Sequence, residues 1–482
     1  MITAAFVGGP APALQLTGDG PAPAGAALVG PRARTTAVPE GGVDGWTLTL
    51  PLTASRWNGP TLPLPSGAYT LVLDGGPGAD ALAALDVADT MLEGLRVAVS
   101  GAEVRIGPPV DPVYDSAEGQ DALERRYAGG AAELENAVFL ESFYGRTVGC
   151  NPLAIDRELA RAAPGVRRYW SVVDRSIAVP DGAIPVVEGT PAWWEARARA
   201  RLLVVNDWLR RRYVRRPGQV VLQTWHGTPL KRLALHRPGF DPRRMLAVIR
   251  ESRRWDVLLA QNPYAARILR KAYAFLRRPV WVEGYPRNDA LVTGDAAAAR
   301  EALGIGADER VVLYAPTWRD DRDRMVDFVD PEALAEATGS VVLVRGHSRT
   351  LIPGRDAEGA RVIDVTGFGD TTLLLLAADV LITDYSSVMF DFTVTGKPVL
   401  FLVPDLEHYR GELRGFYFDL AERAPGPLVR TQAELVEALA AAPDPAYEER
   451  YARWRSVFNA RDDGHAAERV VARILDQGFV QR

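Results

Sequence analysis

Four stretches of this sequence place polar or charged residues directly after an apolar run. "QVVLQTWHGTPLKRL" ends its run at His226, with Gly227, Thr228 and Lys231 following. "VVLVRGHS" carries Arg345 and His347, "YAPTWRDD" carries Thr317 and Arg319, and "DVLITDYSSVMFDF" carries Thr383, Asp384, Ser386, Ser387 and Asp391. An imidazole titrates near neutral pH and suits a proton acceptor. Arginine and lysine suit anionic oxygens, and amides with hydroxyls at a helix N-terminus suit phosphate. Taken together, these residues predict chemistry on a phosphate-rich donor. Singly, each has a plainer reading. A lone strand-end histidine is also a structural imidazole held within a loop, Arg345 is also a surface charge, and Ser386 is also an ordinary N-cap. Lys231 would hold an anion beside His226.

Such residues act only if elements present them, and the chain has three textures. Residues 1–115 are rich in Gly, Pro, Ala and Thr, with short runs such as "WTLTLPL", "AYTLVL" and "LRVAVS" between turn signals. This predicts a small all-β accessory module. From about 130 to 290, runs such as "NAVFLESF", "RLLVVND" and "DVLLAQN" alternate with helical segments, and the rhythm restarts over 291–482. Apolar runs without polar alternation predict parallel strands covered on both faces. Two doubly wound α/β halves should therefore follow the β module, with ligands at the carboxyl ends of the strands. Gly227 and Pro229 would turn the chain at His226, and a helix should begin near Ser386 and Ser387 and stop by Gly396 and Pro398.

Bulk properties narrow the function. At 482 residues the chain exceeds one ordinary core, and 47% hydrophobic with 24% charged residues indicates a globular chain. A net charge of -5 argues against a general nucleic-acid binder. The single cysteine, Cys150, excludes an internal disulfide and a Cys-rich metal site, and suits the cytoplasm. The N-terminus lacks a secretory signal pattern, and no window holds the roughly 18 uncharged apolar residues of a spanning helix, so membrane contact should be peripheral. Neither a Walker A motif nor a strand-following G-x-G-x-x-G appears. The run "RARARLLVVNDWLRRRYVRRPG" holds eight arginines against Asp207 alone. It reads as a solvated helix face, or as a patch meeting anionic lipid or polymer. No cofactor is required. Asp320, Asp321 and Asp323 are placed to hold a divalent ion, but read more simply as a solvated loop.

The motifs "QTWHGTPLKRL", "GYPRND", "YAPTWRD", "RGH", "ITDYSSVMFDF", "PDLEHYRGELRGFYFDL", "PGP" and "FNARDDGHAAERV" occur in the order of the CDP-glycerol glycerophosphotransferase family. The chain resembles these teichoic-acid primases, polymerases and related capsule polymerases over roughly 135–475. The resemblance implies a GT-B-like pair of Rossmann-type domains after the β module. The 130–290 domain would face the acceptor, and the 291–482 domain, ending in a C-terminal helix, would hold the nucleotide donor. It implies His226 as the base, His347 at the donor phosphates, and Thr383 to Ser387 against the pyrophosphate or glycerol phosphate. Arg287, Arg319 and Asp391 fall at further motif positions. The implied donor is CDP-glycerol or a related CDP-polyol, and the acceptor is a lipid-linked or polymeric polyol phosphate or saccharide. The implied location is the cytoplasmic face of the membrane, against an anionic surface. An acceptor hydroxyl would attack the phosphorus bearing glycerol and expel CMP, a reaction that needs positioning and charge stabilisation. Two competing readings remain open. A GT-B glycosyltransferase would release a nucleoside diphosphate, and an idle polyanion- or membrane-binding scaffold would be indifferent to loss of His226.

Overall fold

Alternation in "WTLTLP" puts Trp46, Leu48 and Leu50 on one face of the strand Gly45–Pro51, all buried, while Thr47 and Thr49 face away. The same two-residue period recurs through the first 107 residues. In the computed structural model, which describes residues 2–42, 45–75, 82–128, 133–209, 213–317, 328–346, 361–413, 415–441 and 444–482, this region forms antiparallel sheets. One runs Ile2–Val7, Ala13–Gly18, Gly45–Pro51, Glu40–Gly42. The other runs Asp86–Leu92, Leu95–Ser100, Glu103–Gly107, Gly67–Asp74, Gly25–Val29, Arg34–Ala37. They enclose Leu14, Leu16, Leu28, Leu48, Leu71, Val97 and Val104. A small hairpin, Thr53–Ser55 with Thr61–Pro63, stands apart from both. Its turn puts Trp57 and Asn58 in left-handed backbone, at φ 56° and 52°.

The helix Ala117–Ala128 leads into the first parallel sheet. Its order is Ile184–Val187, Arg167–Val172, Glu135–Glu141, Ala200–Val205, Val220–Gln223, Val257–Ala260, Val280–Val282. Both faces are covered: Phe139, Leu203 and Leu258 point into one apolar cluster, Val138, Leu202 and Leu259 into another. Local signals start the covering helices. Asp241 and Asn262 accept first-turn amides, and each precedes a proline, so "DPRRM" and "NPYAA" open helices Pro242–Ser252 and Pro263–Ala272.

The second parallel sheet runs Val362–Asp364, Val341–Val344, Val311–Ala315, Val380–Thr383, Val399–Leu402, Leu428–Val429. In each sheet the strand order reverses once, beside Glu135–Glu141 and beside Val311–Ala315. At such a reversal the flanking connections diverge to opposite faces and leave a crevice.

The last helix, Ala466–Asp476, returns to the first sheet, where Val470, Val471 and Ile474 pack with Leu153, Ile155 and Trp281. Asp289 accepts the amides of Ala466 and Ala467 at 2.9 and 2.7 Å. Just before it, Asp462 accepts from the Tyr285 amide (3.0 Å), Gln261 (2.7 Å), Asn459 (3.2 Å) and Asn288 (3.3 Å), tying the two halves together.

Among the described residues, the arginine-rich run is not one continuous helix. Arg197 and Arg199 end the helix Pro191–Arg199, and the strand Ala200–Val205 follows. Arg197 is buried among the rings of Trp193, Trp194 and Tyr213. Arg199 pairs with Glu135, Arg215 with Asp256, and Arg216 donates to the Ala198 carbonyl. Arg210, Arg211 and Arg212 lie outside the described residues. Among the described residues, no helix is long and apolar enough to cross a membrane.

Candidate active site

The strand Val220–Gln223 ends in a turn whose geometry Asn151 fixes. Its side chain donates to the carbonyls of Thr224 and Trp225 at 3.3 and 3.1 Å. Trp225 adopts φ 53°, a conformation that a bulky residue holds only when its surroundings impose it. That turn delivers His226 to the carboxyl edge of the sheet, next to the strand-order reversal. Its Nδ1 lies 2.6 Å from the Asn206 carbonyl oxygen. A carbonyl only accepts, so Nδ1 carries the proton and the Nε2 lone pair of the neutral ring is left to accept another. Trp225 stacks on the imidazole at 4.7 Å between centroids, and Phe143 flanks it at 5.4 Å. Phe143, Tyr144 and Cys150 also have positive φ, of 45°, 61° and 60°, so strained backbone gathers around this histidine.

Beneath it lies a buried ion pair between the halves. Arg287 meets Asp391 at 2.7 Å, and also donates to the His226 carbonyl (3.1 Å) and to Cys150 Sγ (2.8 Å). Burial works against the guanidinium charge, but Asp391, Cys150 and Tyr285 more than offset it and hold the pKa above its ordinary value.

His226 opens into a cavity of about 420 Å³ between the two sheets. Phe143, Cys150 and Arg287 line it from one half; Pro316, Arg345, Thr371, Ser386, Ser387 and Asp391 line it from the other. Arg345 is half-buried, and its partial removal from water lowers its pKa to about 10, so it remains a cation at neutral pH. It donates to the carbonyls of Val365 and Phe368, both at 3.0 Å, and to Thr371 Oγ1 at 2.9 Å. These acceptors are uncharged, the nearby carboxylates of Asp370 and Asp364 favour the charged form, and the guanidinium lines the cavity, placed to meet an anion there. The halves touch at Gly227, where an added Cβ would lie 2.5 Å from Ser387 Oγ.

Of the residues singled out in the sequence, His226, Arg345, Ser386, Ser387, Arg287 and Asp391 converge on this cavity. Gly227 forms the contact beside it. Thr383 and Asp384 instead knit the strand-order reversal: Thr383 donates to the Ala315 carbonyl at 2.7 Å, and Asp384 accepts the Thr317 amide. Ser387, not Ser386, occupies the N-cap position of the short helix Val388–Phe392, while the Ser386 hydroxyl accepts the Val388 amide at 3.4 Å. Thr228 is buried with its hydroxyl 2.5 Å from Gln261 Oε1. Lys231 does not line the cavity; its residue bridges to Phe416, and Nζ lies 5.8 Å from the Tyr409 ring centre. His347 and Arg319, like Asp320, Asp321 and Asp323, lie outside the described residues. Phe143, Cys150, Asn206 and Thr371 were not read as site residues: Asn206 acts through its backbone carbonyl, which no residue type signals, and the other three reach the cavity only through the packing of separate elements.

Comparison with known proteins gives this site a family. The profile of CDP-Glycerol:Poly(glycerophosphate) glycerophosphotransferases matches residues 132–476, leaving the β module outside. A teichoic acid poly(glycerol phosphate) polymerase of Bacillus subtilis (strain 168) is 36% identical over 359 residues, covering 69% of this chain and 48% of that protein. This chain thus spans about half the length of that relative. A teichoic acid glycerol-phosphate transferase of Staphylococcus aureus (strain NCTC 8325 / PS 47) is 34% identical over 381 residues, covering 71% of this chain and 93% of that one. The solved wall teichoic acid polymerase TagF superposes with a TM-score of 0.67 at 29% identity, over 75% of this chain and 94% of that one. By the extent of these matches, the chain belongs to the CDP-glycerol:poly(glycerophosphate) glycerophosphotransferase family.

Proposed function

We propose that this protein transfers glycerol phosphate from CDP-glycerol to a hydroxyl of a lipid-linked or polymeric acceptor, in the synthesis of a teichoic-acid-like wall polymer. The observation that carries the reading is His226, its Nδ1 on the Asn206 carbonyl, opening into one cavity with Arg345 and Ser387. In the proposed reaction Nε2 takes the acceptor O–H proton. The freed oxygen attacks the phosphorus bearing glycerol, the bond from that phosphorus to the oxygen of CMP breaks, and CMP leaves with the electron pair. Arg345 and the exposed edge of Ser386 and Ser387 stabilise the charge that grows on the phosphoryl oxygens. In the GT-B-like arrangement that we infer, residues 130–290 form the acceptor side and 291–482 the donor side. His347 and Arg319 are assigned to the donor phosphates on the family resemblance alone.

A peripheral location on an anionic membrane face is part of the same proposal. It is supported by the helix Pro242–Ser252, whose outer face exposes Arg243, Leu246 and Arg250, with Phe240 exposed just before it. The test supplies CDP-glycerol, CDP-ribitol or UDP-glucose with an acceptor carried in phosphatidylglycerol vesicles, and identifies the nucleotide released. CMP released from CDP-glycerol and lost in His226→Ala is the expected result. Release of UDP from UDP-glucose, or no release from either CDP donor, would sink the reaction. Vesicle co-sedimentation unchanged by joint Phe240→Ser and Leu246→Ser substitution would sink the membrane assignment.

A further inference from the structure

The β module lies outside the family match, yet it touches both parallel-sheet halves. On one side the Ser66 amide donates to Asp174 at 2.8 Å, with Arg32 at 3.8 Å from the same buried carboxylate. On the other, the hairpin tip between Ser55 and Thr61 reaches the donor half. The Trp57 ring meets the Phe368 ring edge-on at 5.5 Å, and Asn58 donates to the Glu301 carbonyl at 3.3 Å. The Arg56 guanidinium lies over Gly367, close enough that an added Cβ there would stand 3.0 Å from it.

The loop gripped in this way is the one that aims Arg345. Two of the three acceptors of its guanidinium are the carbonyls of Val365 and Phe368. One residue further, the Gly369 carbonyl lies 3.2 Å from where a Cβ on Gly149 would sit, so the loop also closes against the acceptor half. Asp370 and Asp364 favour the guanidinium's charge from nearby, but the hydrogen bonds that set its direction go to this loop, and its aim follows those carbonyls. Trp57 itself is held at φ 56°, which a bulky side chain keeps only where tertiary contacts impose it. Among the described residues, the ring that the tip meets is Phe368.

We propose that Trp57 is a positioning residue for the donor side: packed on Phe368, it holds the 365–369 loop so that Arg345 points at the donor's phosphate. The β module is then part of the working site. This rests on the donor-side reading of the cavity, and the test separates the two.

The full chain, Trp57→Ala and Trp57→Phe are compared for CDP affinity by calorimetry, and for KM and kcat with CDP-glycerol. Losing one charge-assisted phosphate contact weakens binding about tenfold. Trp57→Ala should therefore raise the Kd for CDP and the KM for CDP-glycerol about tenfold while kcat changes less, and Trp57→Phe should retain most of the affinity. Phe368→Leu probes the same contact from the loop, should Trp57→Ala not fold. Unchanged CDP affinity in these variants, even with a lowered Tm, means the hairpin is only structural and overturns the proposal. A wild type that binds CDP yet never turns over CDP-glycerol overturns the reaction instead, and leaves the positioning role to be judged by affinity alone.

Discussion

Gly227→Ala probes the seam between the two halves without disturbing either fold. Gly227 does not lie in the left-handed region, so alanine brings no backbone strain of its own. The added Cβ, however, would meet Ser387 Oγ at 2.5 Å and Ser387 Cβ at 2.9 Å. Carbon atoms in ordinary contact stand about 3.5–4.0 Å apart, so the seam must open by roughly 0.6–1 Å. His226 would retreat with its turn from Arg345 and the serines opposite. Misplacement by about 1 Å costs on the order of a hundredfold when reacting groups must be aligned. Gly227→Ala should therefore lower kcat/KM for CMP release about 30- to 100-fold, with little change in Tm. Ser387→Gly removes both clashing atoms. If the seam is the cause, Gly227→Ala combined with Ser387→Gly should recover the activity of Ser387→Gly alone, a coupling that a double-mutant cycle measures directly. Unchanged kinetics in Gly227→Ala, or losses that simply add, would refute this account of how the halves meet.

Two further perturbations follow from buried charges. Asp391→Asn strands the Arg287 guanidinium without its partner, and removing one member of a buried pair costs about 3–5 kcal/mol, read as a lower midpoint in denaturant. A change under about 1 kcal/mol would mean that Cys150 and the His226 carbonyl suffice for it. For Asp462, removal from water outweighs the four N–H donors aimed at it and pushes its pKa up to about 6. The folded state therefore binds a proton that the unfolded chain has released. This contribution is fully present below pH ~3.9 and is lost as pH rises through about 6. The stability of the wild type relative to Asp462→Asn should fall by about 2–3 kcal/mol between pH 4 and pH 7, and a difference that is flat or rises with pH would contradict it.

The strand Val220–Gln223 and the turn after it were legible because both signals are local: an unbroken apolar run, then Gly227 and Pro229. The same holds for Arg345 and for the helix start after Ser386, since strand ends and caps depend on neighbours within a few residues. The β module was legible through its two-residue period. Lys231 misled for the opposite reason. Proximity in sequence placed it beside His226, but the chain after the turn runs toward Tyr409 and Phe416, and the side chain follows it. In the arginine-rich run, Arg199 and Arg215 look unpaired in the sequence only because Glu135 and Asp256, their partners, are distant in it.

By itself, then, the sequence determined the kinds of element, their order and the strand ends that carry polar side chains. Periodicity, caps and turns are short-range properties. The tertiary structure alone decided which of those ends share a cavity. Asn206 orienting His226, Arg287 joining His226 to Asp391, and Trp57 reaching Phe368 each connect residues that separate strands or domains supply. Such contacts depend on how whole faces pack, and packing is a property of the assembled surfaces rather than of any one segment.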